Sequence, residues 1–369
     1  MPKPHSHDPL KRMDRKTDRL DAIAGGLRER IVGGFWAPGE RLPNRVEIET
    51  SFSASSATVQ IALDKLKREG FVVANRRSGT FVSENPPHLS HFALVFPCHP
   101  GELEWNRFWT AICEEAKKIE AEGTWRFPVY YGVNGHEDAE DYHGLMRAHE
   151  QGRLAGAIYA VSPGALMHTR LFASSPLPAV TVGYSPPVSW MPVVTPHIET
   201  FVDRSLDFLA ARGCKKIAVL RTVSAGTDFE GPIRRRGLET HPWWIQDISL
   251  WQPCTARGVA HLLMHPNQTE LPDGLIIADD NLLQPASEGL AATGMPGRAP
   301  LEIVAHCNFP WPTESAVPVQ RIGFDVSRLV ASCIQLVEAQ RQGQPYEIQN
   351  LQTAVTQQEW QAQSSGSLA

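Results

Sequence analysis

No stretch of this 369-residue chain approaches the roughly 20 uninterrupted apolar residues of a membrane-spanning helix. Its start, MPKPHSHDPLKRMDRK, holds no apolar run of signal-peptide length. The expectation is a cytoplasmic protein with no membrane partner. Cysteine is sparse: Cys98, Cys113, Cys214, Cys254, Cys307 and Cys333 stand far apart with no C-x-x-C pair, a spacing that fits buried thiols better than zinc or a dithiol redox site. Motifs that carry catalysis are missing too, with no G-x-S-x-G, no phosphate-binding glycine loop and no H-E-x-x-H. No catalytic residue, metal or cofactor is therefore assigned, and a non-enzyme is expected.

What is present is ordinary globular composition, 42% hydrophobic and 20% charged, over a length that suits two or three folding units. The net charge of −5 hides an asymmetry. Up to Asn85 there are 15 Lys and Arg against 11 Asp and Glu, a surplus of +4, and beyond it 20 against 29, a balance of −9. The basic end is where a nucleic-acid partner would bind.

Residues 1–17 are polar and mixed in charge, and are expected to form a mobile tail in which His5 and His7 are solvated rather than metal ligands. From Asp18 to Gly33, Leu20, Ile23, Leu27 and Ile31 recur at helical spacing. Gly33, Gly34, Pro38 and Gly39 break that helix, and LPNRVEIETSF supplies a second, expected to pack through Val46, Ile48 and Phe52. Ser55 is a natural N-cap for a third helix to about Glu69, with Val59, Ala62, Leu63 and Leu66 on its buried side. Its other face carries Ser56, Ala57, Gln60 and Lys67, short polar groups able to approach base edges in a major groove. FVVANRRSGTFVSE then alternates apolar and polar residues about a basic turn, the pattern of a hairpin with Arg76 and Arg77 at its tip.

PGERLP, the TV, AL and KL pairs, REGFVV and SGTFV, in that order, resemble the winged helix-turn-helix of the GntR family of bacterial regulators over roughly residues 18–84. The resemblance implies that the third helix enters the major groove, that the wing touches backbone or minor groove, and that two heads bind a pseudo-palindromic operator. On this basis Arg45, Ser55, Ser56, Ala57, Thr58, Gln60, Arg76, Arg77, Gly79 and Thr80 form the expected DNA-binding surface. Gly79 also serves simply to permit the turn, and Gln60 is equally compatible with an exposed residue of no special role. Where the family often carries Arg, this chain has Val46, Ser56 and Gln60.

From His91 onwards strands alternate with helices, from HFALVFPC through GAIYAV, PAVTVGY, KKIAVL, DGLIIADD and LEIVAH, which predicts α/β architecture with parallel sheets in two tandem lobes. The expected organisation is a tail (1–17), a DNA-binding domain (18–85), a linker (86–90), a two-lobed domain (91–360) and a second tail (361–369). ARGCKKIAVL, IRRRG, ADDN and GFDVSRLVASCIQLV resemble the periplasmic-binding-protein-like effector domain of LacI-family regulators. That resemblance implies doubly wound lobes with a small-molecule effector, a sugar, between them, and a homodimeric repressor of double-stranded operator DNA.

Ligands of open α/β sheets sit at the carboxyl ends of strands, where this chain offers His99, Asp279, Asp280, His306, Cys307 and Asn308. The resemblance adds Arg234 and puts Asp280 on the acidic ligand contact, so His99, Arg234, Asp280 and Asn308 are the expected effector contacts. Each has another reading: Arg234 as a solvated helix residue, Asp280 as the cap of a helix starting at Asn281. Trp105, Phe108, Trp243 and Trp244 are ring-stacking candidates or core. A sensor that keeps only a dimerisation role, and an enzyme built on the doubly wound sheet, are the alternative readings.

Overall fold

The computed structural model describes residues 9–75, 78–173, 177–183, 191–222, 227–294, 301–346 and 349–366. The chain divides into two compact units, one of residues 1–95, 119–158 and 165–178, the other of residues 96–118, 159–164 and 179–369. Both are discontinuous in sequence.

The first unit opens with helix α1 (Pro9–Val32), so residues 9–17 of the expected tail are helical. Asn44 then starts α2 (Arg45–Phe52) with a reciprocal capping box: its side chain accepts from the Glu47 amide at 3.1 Å, and its own amide donates to Glu47 Oε2 at 2.7 Å. Ser53 takes a left-handed conformation that ends α2, and Ser55 caps α3 (Ser56–Arg68). Strands β1 (Val72–Asn75) and β2 (Gly79–Val82) pair antiparallel, Asn75 opposite Gly79. Ile23, Leu27 and Ile31 of α1, Ile48 of α2, Val59 and Leu66 of α3 and Val82 of β2 share one core with Trp36 and Phe71. Val46, expected in that core, is 68% exposed. It lies two residues from Ile48, about 200° around a helix, so only one of the pair can face inward.

The expected linker is itself structured: α4 (Pro87–Ser90) is a single turn in which Ser90 Oγ donates to the carbonyls of Asn85 and Pro86, both at 3.0 Å. The alternation then follows as β3 (Phe92–Val95), α5 (Arg107–Glu122), β4 (Val129–Tyr130), α6 (Glu140–Glu150), β5 (Gly156–Tyr159), α7 (Arg170–Ala173), β6 (Ala179–Val182) and β7 (Val193–Pro196). Within the first unit β3 runs parallel to β4.

The second unit continues with α8 (Ile198–Ala211), β8 (Ile217–Thr222), α9 (Glu230–Arg235), β9 (Ile245–Ile248), α10 (Thr255–Leu263), β10 (Gly274–Ile277), α11 (Asp280–Ala291), β11 (Glu302–Phe309), β12 (Gln320–Asp325), α12 (Val326–Arg341), β13 (Gln349–Gln352), β14 (Val355–Thr356) and α13 (Gln357–Gly366). Helix α13 therefore occupies most of the expected C-terminal tail. One sheet runs β14-β12-β11-β10-β8-β9, parallel throughout except for the short antiparallel β14. Successive residues of its central strands enter opposite cores. Leu275, Ile277, Ala218 and Leu220 pack with α10 and α11, whereas Ile276, Ile217 and Val219 pack with Phe201, Leu206 and Leu209 of α8. A sheet covered on both faces explains why these strands read as continuous apolar runs. In the same unit β6, β7 and β13 form a parallel set. The mixed α/β architecture expected from the alternation is the one observed.

Candidate functional site

In the small helical domain, the exposed side of α3 presents Ser56 and Ala57 near the helix N-terminus. Ser55 Oγ is engaged in capping, accepting from the Thr58 amide at 3.3 Å and lying 2.9 Å from Thr58 Oγ1. Thr58 is turned inward, at 8% exposure, so its expected DNA contact is corrected to a structural one: the hydroxyl closes the cap. Gln60 is held on both sides, its Oε1 accepting from Arg45 Nη2 on α2 and its Nε2 donating to Asp64 Oδ1 at 2.9 Å. That network spans both helices and fixes the Arg45 guanidinium over the outer face. Gly79 sits at φ +115°, where a side chain would be strained, and an added Cβ would lie 3.0 Å from Arg41 Nε. The turn at this position therefore requires glycine. Thr80, beside it, is half-buried, and its carbonyl accepts from the Leu42 amide at 2.9 Å. Arg76 and Arg77 lie outside the described residues.

The second unit holds a cavity of ≈ 320 Å³ at the carboxyl ends of β6, β8, β10 and β11. Asp279, Asp280 and Asn281 enter it from the β10-to-α11 turn, His306 and Asn308 from β11, Thr222 from β8, and Asn106, Phe108 and Trp109 from the start of α5. Asp279 is the true N-cap of α11. Its Oδ1 accepts from the amide and side chain of Asn281 at 2.9 and 2.7 Å, and its Oδ2 accepts from Thr222 Oγ1 at 3.0 Å. Asp280, only 3% exposed, is thereby free of the capping role and receives Asn308 Nδ2 on its Oδ2 at 2.8 Å.

Burial pushes the Asp280 carboxyl up to about 7, the neighbouring Asp279 charge pushes the same way, and the Asn308 hydrogen bond and the Arg107 charge oppose it. His306 is displaced downward, to about 4, by burial, against the pull of Asp279. Its Nδ1 is buried without a hydrogen-bond partner, and its ring edges lie against Phe201 and Phe324. Near neutrality the imidazole is uncharged. Val182, Ile198 and Leu250 complete an apolar wall around this small polar set, the usual make-up of a small-molecule site.

Residues 20–82 match the family described as "Bacterial regulatory proteins, gntR family". This segment is a GntR-family DNA-binding head. Over 69 residues it is 37% identical to the HTH-type transcriptional repressor YtrA of Bacillus subtilis, covering 19% of this chain and 53% of that protein. Over 64 residues it is 34% identical to the histidine utilization repressor of Klebsiella aerogenes, covering 17% of this chain and 27% of the relative. The chain thus spans about half or less of the length of these relatives. The remainder has the fold of LacI-family regulators. A regulatory protein of that family from Chloroflexus aggregans superposes with a TM-score of 0.55 at 15% identity, over 72% of this chain and 96% of its own. A LacI family transcriptional regulator from Lactobacillus casei, solved with bound glucose, gives 0.50 at 12% identity over 73% and 98%.

Of the four expected effector contacts, the LacI-type fold brings Asp280 and Asn308 into the cavity wall. Arg234 is not among the lining residues. It is two-thirds exposed on α9 and paired with Glu230 one turn earlier, because its neighbours Pro232 and Ile233 take the buried face of that helix. His99 is exposed in the turn region after β3, also outside the cavity lining. Trp244 belongs to the core and Trp243 stacks on His241 at 4.5 Å, so neither reaches the cavity, whereas Phe108 does. Asn106, Trp109, Thr222 and Asn281 were not legible as site residues. Only the strand-end rule pointed to Asp279 and His306.

Proposed function

We propose that this protein is a transcription repressor whose grip on operator DNA is set by a small polar molecule held in the cavity of its LacI-type domain. The observation that carries the reading is the pairing, in one chain, of a GntR-family head with a partly polar cavity at the carboxyl ends of the strands. The solved LacI-family regulator with bound glucose supports a polyhydroxylated effector as the first class to screen. No catalytic chemistry enters the mechanism. A homodimer would place two heads on half-sites one helical turn or more apart. Among the described residues no helix is long and apolar enough to cross a membrane, in keeping with a cytoplasmic site of action.

In this reading Arg45, Ser56, Ala57 and Gln60 face base edges, with Arg76, Arg77 and Thr80 along the wing. Ligand acts only through its different affinity for the DNA-competent and DNA-incompetent states. The test is selection of genomic fragments by the full chain, followed by titration of the selected fragment at several salt concentrations. Arg76→Ala with Arg77→Ala should weaken binding on all sequences and reduce the salt slope by about 2. An effector identified by thermal shift should change the affinity for the fragment. Failure of the full chain to select any fragment would overturn the repressor reading.

A further inference from the structure

The cavity carries an unbalanced charge. Two adjacent carboxylates, Asp279 and Asp280, enter it, and none of the described residues lining it is Lys or Arg. The Arg107 charge opposes this acidity in part, but the guanidiniums of Arg107 and Arg321 are hydrogen-bonded to groups other than the two carboxylates. Arg107 donates through its amide to Asn281 Oδ1 at 3.0 Å and through Nη2 to Gln284 Oε1 at 3.2 Å, while Arg321 Nη2 donates to the Thr313 carbonyl at 3.0 Å. His306 is held neutral by burial. Arg234, which a sugar-binding arrangement would set opposite the acid, is paired with Glu230 away from the cavity.

The two acids are not equivalent. Both oxygens of Asp279 are occupied by the cap and by Thr222, whereas Asp280 has Asn308 on one oxygen only among its side-chain contacts. Phe108 and Trp109 line the same cavity, and aromatic rings are suitable neighbours for a cation. A buried carboxylate is costly to ionise, and burial with the neighbouring Asp279 accordingly raises the Asp280 carboxyl well above its ordinary range.

We propose that the effector carries a cationic nitrogen which sits against Asp280, with Phe108 and Trp109 at its apolar side. The proposal rests on the ligand-controlled reading above and narrows it: amines and amino sugars are selected, neutral sugars bind less well, and phosphorylated or carboxylated sugars are repelled. No covalent step is involved. The ammonium enters charged, and a proton carried by Asp280 leaves for solvent.

The test uses the full chain in thermal-shift screening and calorimetry against matched probes: glucose, glucosamine, glucuronate and glucose 6-phosphate, together with 1,4-butanediol and putrescine. The expected result is that an amine binds at least about tenfold more tightly than its alcohol counterpart, that both anions fail, and that Asp280→Asn brings the amine-to-alcohol ratio close to one. Calorimetry in buffers of different ionisation enthalpy should show proton release to the medium on amine binding near pH 7. A neutral sugar that binds as well as its amine, or an amine preference that survives Asp280→Asn, overturns the charge assignment while leaving ligand control intact. Binding of none of these probes also overturns it, and the repressor reading is then decided by its own DNA selection.

Discussion

Replacing Asp280 with Asn keeps an oxygen for Asn308 while removing a carboxyl whose ionisation the fold resists. The sign follows from linkage. A carboxyl that titrates at about 7 when folded and near its ordinary 3.8 when unfolded binds more protons in the folded state between those limits, so stability is present below 3.8 and lost as pH rises towards 7. At 1.36 kcal/mol per tenfold, that difference corresponds to on the order of 4 kcal/mol of destabilisation once Asp280 is fully ionised. His306 works in the opposite direction. Its displacement to about 4 from 6.5 makes stability rise with pH across that window, so in the wild type the two slopes largely cancel up to about 6.5. Asp280→Asn should therefore be more stable than the wild type by on the order of 4 kcal/mol at pH 8, by about half that near pH 5.5, and by little near pH 4. Urea unfolding followed by tryptophan emission at pH 4 to 8 measures this, since Trp109 lines the cavity. A difference that does not change with pH would refute the account of a buried, uncompensated acid.

Arg234→Ala should leave stability within about 0.5 kcal/mol and effector affinity unchanged, because the side chain is exposed and, among the described residues, paired along its own helix with Glu230; calorimetry with any effector found would check this. Ser55→Ala should cost about 1 kcal/mol of head stability by removing the cap of α3, read in denaturant melts. Gly323→Ala should destabilise by about 3 kcal/mol, because a Cβ there would lie 1.8 Å from the Cys307 carbonyl on the neighbouring strand, and soluble yield and thermal melting would both show it. Gln60→Ala should release Arg45 and alter the selected DNA sequence more than the salt slope, a contrast that repeating the fragment selection would reveal.

The sequence by itself determined the head and the layering of the rest. Ser55 ahead of a helical apolar period, the turn glycine Gly79, and strands alternating with helices are local signals, and residues close in sequence act on one another through backbone geometry alone. Short elements were less legible. Helix α2 is only eight residues long, and its apolar residues did not reveal that Val46 faces outward while Ile48 faces in. Strands β7, β9, β13 and β14 and helix α13 likewise gave no clear period.

Only the tertiary structure decided which strand ends meet. Asp280 and Asn308 are 28 residues apart and touch because β10 and β11 lie side by side in parallel register. Arg234 misses the cavity because the phase of α9, set by burial of Ile233, turns it to solvent. The shift at Asp280 likewise needs burial and a neighbouring acid that together outweigh the Asn308 hydrogen bond and the Arg107 charge, a sum over residues distant in sequence. A sequence names the groups present, but the energy of a buried charge depends on what surrounds it, which chain order does not contain.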